Sequence, residues 1–185
     1  MIPTVDDCCR LMAEYGMLGN IRDHSMLVAR VAALLVDNIR QAGAVLSRER
    51  AVAGALLHDI GKTACLNTEE DHAARGREIC LAHGMVEIAE IVAQHVILRD
   101  TGREAFTEEE IVYYADKRVN HDQVVSLAER LVYILDRYGR QDARRHQAIR
   151  ANFERCKALE NRIFAGLPFG PVEVAARIDQ RLFCP

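Results

Sequence analysis

The sequence predicts an all-α fold, a single compact helical bundle, and three observations carry that prediction. Half of the 185 residues are apolar yet only 5% are aromatic, with no Trp, a balance that suits closely packed helices better than a sheet sandwich or barrel. Apolar residues recur at three- and four-residue spacing through most of the chain. The prolines are confined to Pro3, Pro168, Pro171 and Pro185, so residues 4–167 lack the strongest helix breaker. One domain is expected over 1–185, with a chemistry-bearing core at about 16–135 and a helical extension at 136–185.

Taken in order, residues 4–15 predict a short helix capped by Thr4, with Asp6 and Asp7 in its positive first turn. Gly16 and Gly19 then loosen the chain, and Asn20 is the expected cap of a long helix to about Gln41, with His24 beside the Val28-Val31-Leu35 stripe. Ser47 caps a helix over 48–59 without a full capping box, since Arg50 stands where Glu or Gln would complete it. Gly61 ends or bends that helix. Lys62 is then free to reach across the His58-Asp59 pair, although a solvated surface lysine is the plain alternative. Residues 63–70 are polar enough for a loop at the mouth of a site.

A helix over 71–82 holds His72 in its first turn, with Gly76 one turn later allowing a neighbour to approach. The next spans about 85–96 with His95 in its C-terminal turn, while His83 suits a capping or surface role. After a polar stretch at 98–107, Thr107 opens T-x-x-E, and the apolar pattern that follows contains Asp116, which needs a strong partner if buried. A helix over 124–138 stops at Gly139. A longer one carries Ile149 to Ile163, and the turn 166–171 leads to a final helix through Leu182.

The formal charge of −3 provides no global attraction for nucleic acid, and Arg144-Arg145-His146 reads as a solvated helix face. No early run joins a basic start to an apolar core, so neither a secretory signal nor a membrane span is expected, and a cytoplasmic location follows by elimination. The six cysteines form no C-x-x-C pair and read as reduced thiols, those on helices filling small core sites.

Each histidine alone has an ordinary explanation in core or surface packing. Together, His24, His58, Asp59, His72, His95 and Asp116 fall near the ends or inward faces of separate helices, as ligands converging in a bundle would. Four nitrogens and two carboxylates can hold two ions when one carboxylate, best Asp59, bridges them. This donor set suits Mn, Fe, Co, Ni or Zn better than Ca.

The ordered set resembles the HD superfamily of metal-dependent phosphohydrolases, whose signature is a histidine, an adjacent His-Asp pair and a later aspartate. Here these are His24, His58-Asp59 and Asp116, and His58-Asp59-Ile60-Gly61-Lys62 looks like the HDIG-type branch. His72, with Gly76 in an H-x-x-x-G context, and His95 match the two further histidines of binuclear relatives. The resemblance covers roughly residues 16–135 and implies one or two divalent transition metal ions. The implied reaction is hydrolysis of a phosphomonoester, phosphoanhydride or phosphodiester by metal-activated water.

Asp59 and Lys62 are the expected catalytic residues. Lys62, Arg118, Arg99 and Arg103 are candidate phosphate contacts, with a structural ion pair the alternative for Arg118, and Lys117 is expected to face away. Val96 stands where binuclear cyclic-dinucleotide phosphodiesterases carry a second histidine, and no Gly-Tyr-Pro element occurs, which disfavours that substrate. Within the family the chain resembles small stand-alone members, which include phosphatases of nucleotides and of dinucleoside polyphosphates. A di-iron oxygenase and a non-catalytic nucleotide-binding or regulatory module stay open. The expected partner is a phosphorylated small molecule or nucleotide, with no nucleic acid and no membrane, and a homodimer is compatible with the sequence.

Overall fold

The helix at the centre of the core is short and buried on every side from Ala51 to Leu57. In the computed structural model, which describes residues 1–99 and 104–182, α3 (Arg48–Leu57) has all of Ala51 to Leu57 buried, the pattern of a helix inside a core rather than on its surface. It packs against α1 (Val5–Glu14), α2 (Gly19–Gln41), α5 (Val86–Gln94) and α6 (Glu108–Lys117). Between α3 and α5, α4 (His72–Ala82) packs mainly on α5. The chain end of α3 is therefore delivered to the middle of the molecule.

Side chains set most helix starts. Thr4 with Asp7 and Thr107 with Glu110 form full capping boxes, while Ser47 and Asp71 accept backbone N–H groups at the starts of α3 and α4. The start of α2 differs from expectation: Asn20 lies inside the helix and Leu18 occupies the cap position with no side-chain bond. Its backbone N–H instead donates to Thr63 Oγ1 at 3.2 Å, so a residue from the turn after α3 does part of the work.

The all-helical expectation holds except for one small hairpin. Val119–Asn120 (β1) and Gln123–Val124 (β2) pair antiparallel around a turn in which His121 adopts a left-handed φ of 55°. This displaces the start of α7 (Leu127–Tyr138) to a capping box between Ser126 and Glu129. The helix expected over 48–59 stops at Leu57, with tight turns through residue 67, and the final helix is a 3-10 turn (Pro171–Glu173) followed by α9 (Val174–Arg177).

The extension α8 (Ala143–Ala165) is fastened to α6 by polar contacts as well as apolar ones. The Tyr113 hydroxyl lies 2.8 Å from Asn152 Oδ1, and the Tyr114 hydroxyl donates to Glu160 at 2.7 Å. No helix among the described residues is long and apolar enough to cross a membrane.

Two glycines let α4 close against the turn that follows α3. A Cβ on Gly61 would lie 2.5 Å from the His72 carbonyl oxygen and 2.7 Å from the Gly76 backbone nitrogen, and one on Gly76 would lie 2.8 Å from Val92. We expect Gly61→Ala to destabilise by about 1–3 kcal/mol, because backbone has to move. Gly19→Ala, with nothing within 4 Å, should stay within about 0.5 kcal/mol of the parent in urea unfolding.

Burial pushes the thiols of Cys8, Cys80 and Cys156 up from 9.0 to about 12, and raises the Tyr113 and Tyr114 phenols as well. Unfolded, these thiols ionise near their ordinary value, so their contribution is intact below about pH 9 and is lost as pH climbs toward about 12. Urea titrations from about pH 8 to about pH 10.5 should show stability falling with rising slope, and less steeply in Cys156→Ala.

Candidate metal centre

Four helix ends and one helix face meet at Asp59. The carboxylate follows the buried helix α3 by two residues and is itself buried, as are His24, His58 and His95. Its Oδ2 lies 3.4 Å from His58 Nε2 and 2.7 Å from Lys62 Nζ. Its Oδ1 lies 3.4 Å from His72 Nε2 and 3.5 Å from His95 Nε2. Asp116, in the last turn of α6, places Oδ1 3.1 Å from His24 Nε2 and 3.7 Å from His58 Nε2.

Two trios result, sharing Asp59: His24, His58 and Asp59 on one side, and Asp59, His72 and His95 on the other. Within each, the donor atoms all lie within 4.8 Å of one another. Asp116 stands outside both trios but adjoins the first through His24 and His58.

The imidazoles are oriented by carbonyls. His58 Nδ1 sits 2.7 Å from Ala55 O, His95 Nδ1 2.7 Å from Val92 O, and His24 Nδ1 3.3 Å from His121 O. With Nδ1–H donating outward, each Nε2 turns a bare lone pair toward the carboxylates, the arrangement a metal ligand requires. His58 Nε2 and Asp59 Oδ1 are buried with no hydrogen-bond partner. Leaving two such atoms unsatisfied costs about 1–3 kcal/mol each, a cost that a coordinated cation removes.

Protonation states agree with that fit at both carboxylates and at His24 and His72, while His58 runs the other way. Burial opposes charge on Asp59, but His58 and Lys62 outweigh it and hold the carboxyl well below its ordinary range. Burial likewise opposes charge on Asp116, which Lys117 and His24 hold low. Burial lowers His24 despite Asp116, and burial with the neighbouring His95 brings His72 down to about 4. For His58, burial is outweighed by Asp59 and Asp116, and the imidazole is raised. Ionised carboxylates beside neutral His24 and His72 are in the form that binds a divalent ion, and the chemistry of the set suits a transition metal.

A cavity of about 300 Å3 opens on the Asp59–His72–His95 side, lined also by Lys62, Lys117 and Arg130. A larger hollow of about 560 Å3 between α2, the hairpin and the C-terminal segment has no histidine in its wall, and its Arg30 donates to the Leu182 carbonyl. Size alone would have selected the wrong place.

Of the remaining residues proposed from sequence, Lys62 is at the centre, in contact with Asp59. Arg118 is not: it is buried and committed to the Val125 and Pro171 carbonyls, the Tyr114 hydroxyl and Glu160, which gives the structural ion pair. Arg99 is exposed and reaches Glu90, away from the cluster. Arg103 lies outside the described residues. Lys117 corrects the expectation that it faces away. Its Nζ is 3.2 Å from Asp116 Oδ2, donates to the His95 carbonyl and sits 4.2 Å from the centre of the Tyr113 ring.

Sequence reasoning missed Arg130. Its Nη1 donates to Asn120 at 2.8 Å, its Nη2 lies 3.9 Å from Asp116, and its Nε is buried without a partner. The signal was present: Arg130 falls between Leu127, Leu131 and Ile134 on the inward face of α7, and a charge there needs a reason.

Comparison with known proteins agrees with this geometry. The chain is 31% identical over 151 residues to a tRNA (cytidine(56)-2'-O)-methyltransferase of Picrophilus torridus, covering 74% of this chain and 41% of that protein. It is 36% identical over 75 residues to a ribonuclease Y of Pseudothermotoga lettingae, covering 40% of this chain and 13% of the other. The chain thus spans less than half the length of these curated relatives. No solved structure matches. A family model described as HD domain matches residues 21–141, a span that takes in every residue of the cluster from His24 to Asp116. The chain belongs to the HD domain family.

Proposed function

We propose that this chain is a metal-dependent phosphohydrolase acting on a nucleotide-like phosphomonoester, phosphoanhydride or phosphodiester. The observation that carries the reading is the pair of ligand trios sharing Asp59, set at the end of a cavity that also presents Lys62, Lys117 and Arg130. Divalent ions held there would supply Lewis acidity and acidify water at neutral pH.

The side chains supply the rest. Asp59 offers one oxygen to each trio and fixes their separation. Lys62 projects from the turn after α3 and is placed to meet a nonbridging phosphoryl oxygen once Asp59 is otherwise engaged. Arg130 brings a guanidinium to the same cavity, suited to a second oxygen. Lys117, held by the His95 carbonyl and Asp116, adds fixed positive charge without needing to move. The name of one relative, ribonuclease Y, favours keeping phosphodiesters within the substrate range. The methyltransferase named for the other acts through a protein of which this chain covers 41%, and its activity is not carried over.

Metal analysis of untagged protein, followed by a nucleotide and phosphodiester panel with added manganese, nickel or iron(II), tests the reading directly. Asp59→Ala should lose both bound metal and hydrolysis; turnover equal to the parent would reject the mechanism. His72→Ala should retain metal in the His24 trio only, so its stoichiometry by elemental analysis should fall to about half that of the parent. Lys62→Met should keep its metal while kcat drops about 10²- to 10³-fold, as when a positioned oxyanion donor is removed.

A further inference from the structure

Two unlike hollows meet at the cluster. The first, of about 300 Å3, has an apolar far wall formed by Val96, Ile134, Ile149 and Phe153. The polar side chain on that wall, Asn152, is already committed: Nδ2 donates to the Val96 carbonyl at 3.0 Å and Oδ1 lies 2.8 Å from the Tyr113 hydroxyl. This wall offers an organic group mostly apolar contact area, with Asn152 engaged by its neighbours in the fold.

The second hollow, of about 260 Å3, opens on the His24 side and is more polar than the first, with Asn20, His121, Tyr133 and Arg137 in its wall. Arg137, in the last turn of α7, has no ion-pair partner among the described residues. Asp59, Lys62, Arg130 and Tyr138 line both hollows. A phosphoryl group beside Asp59 would have one hollow on each side, each near the lower end of the roughly 300–1,000 Å3 usual for small-molecule sites.

Resting on the hydrolase reading above, we propose that the substrate is a two-armed phosphoryl compound, an organic diphosphate. Its apolar or aromatic group fills the first hollow and its second phosphate enters the more polar hollow beside Arg137. Water adds its oxygen to the phosphorus that bears the organic group, and the bond from that phosphorus to the bridging oxygen breaks. Orthophosphate leaves with the bridging oxygen, an organic monophosphate remains, and the proton released goes to solvent. A monoester with an apolar group fills one hollow and leaves Arg137 unused. A diphosphate with a small polar group leaves the apolar wall wet.

Three probes separate the arms: phenyl diphosphate carries both, phenyl phosphate lacks the second phosphate, and methyl diphosphate lacks the apolar group. With the full chain and added manganese, kcat/KM for phenyl diphosphate should exceed each of the others by about tenfold or more. Ile149→Gln and, independently, Ile134→Gln should shrink the phenyl-to-methyl diphosphate ratio toward unity. Arg137→Gln should shrink the diphosphate-to-monophosphate ratio, with folding of each variant checked by its melting curve. Rates within about twofold across the three probes, or ratios unmoved in the folded variants, would overturn the two-armed assignment and leave the hydrolase reading standing. Absence of turnover on all three and on bis(p-nitrophenyl) phosphate by metal-loaded protein would overturn both.

Discussion

A carboxylate with almost no solvent access is the constraint around which this molecule is arranged. Asp59 is 1% exposed, and burying an ionised carboxylate costs several kcal/mol unless charge and hydrogen bonding answer it. The answer comes from far apart in the chain. The apolar surround of α3 drives its end inward, Gly61 and Gly76 let α4 close on it, and α5 and α6 terminate beside it. Without a cation, Lys62 and the imidazoles share that duty. Cations held by the two trios would join segments from His24 to His95 through the shared Asp59, and binding energy would become folding energy.

Helix termini do much of the orienting. His58 and His95 each occupy the C-cap position of their helix, and each donates Nδ1–H to the carbonyl three residues back, Ala55 or Val92. Carbonyls in the last turn lack the helical partner they would otherwise have. The same unsatisfied groups that end each helix therefore fix which nitrogen of the ring faces inward. Helix ending and ligand orientation are one event at both places.

Much of this was written locally enough to be read from the chain. The caps at Thr4, Ser47 and Thr107, the central apolar helix and the six residues that the structure brings together all follow from short-range pattern or from the ordered signature. What escaped depends on tertiary setting. Lys117 was expected to face away, but α6 is buried around nearly its whole last turn, so Lys117 and its neighbour Asp116 both meet the interior. For Arg118 the sequence held a phosphate contact and a structural ion pair open, and the Pro171 carbonyl and Glu160 decide for the second, an approach visible only once the extension has folded back. The hairpin went unread because its strands are two residues long, and the period of alternation cannot register over so short a span.

His24 is the exception among the ring nitrogens. It lies well inside α2, where backbone carbonyls are occupied, and its Nδ1 finds its acceptor in His121, the left-handed residue at the tip of the small hairpin. The tip thus acts as a gauge for an imidazole nearly a hundred positions earlier in the chain. Lengthening or trimming that turn would cost little core contact, and a screen for thermal tolerance would pass it. The damage would surface as a rotated ring and a weakened first trio, in a protein that still looks well folded.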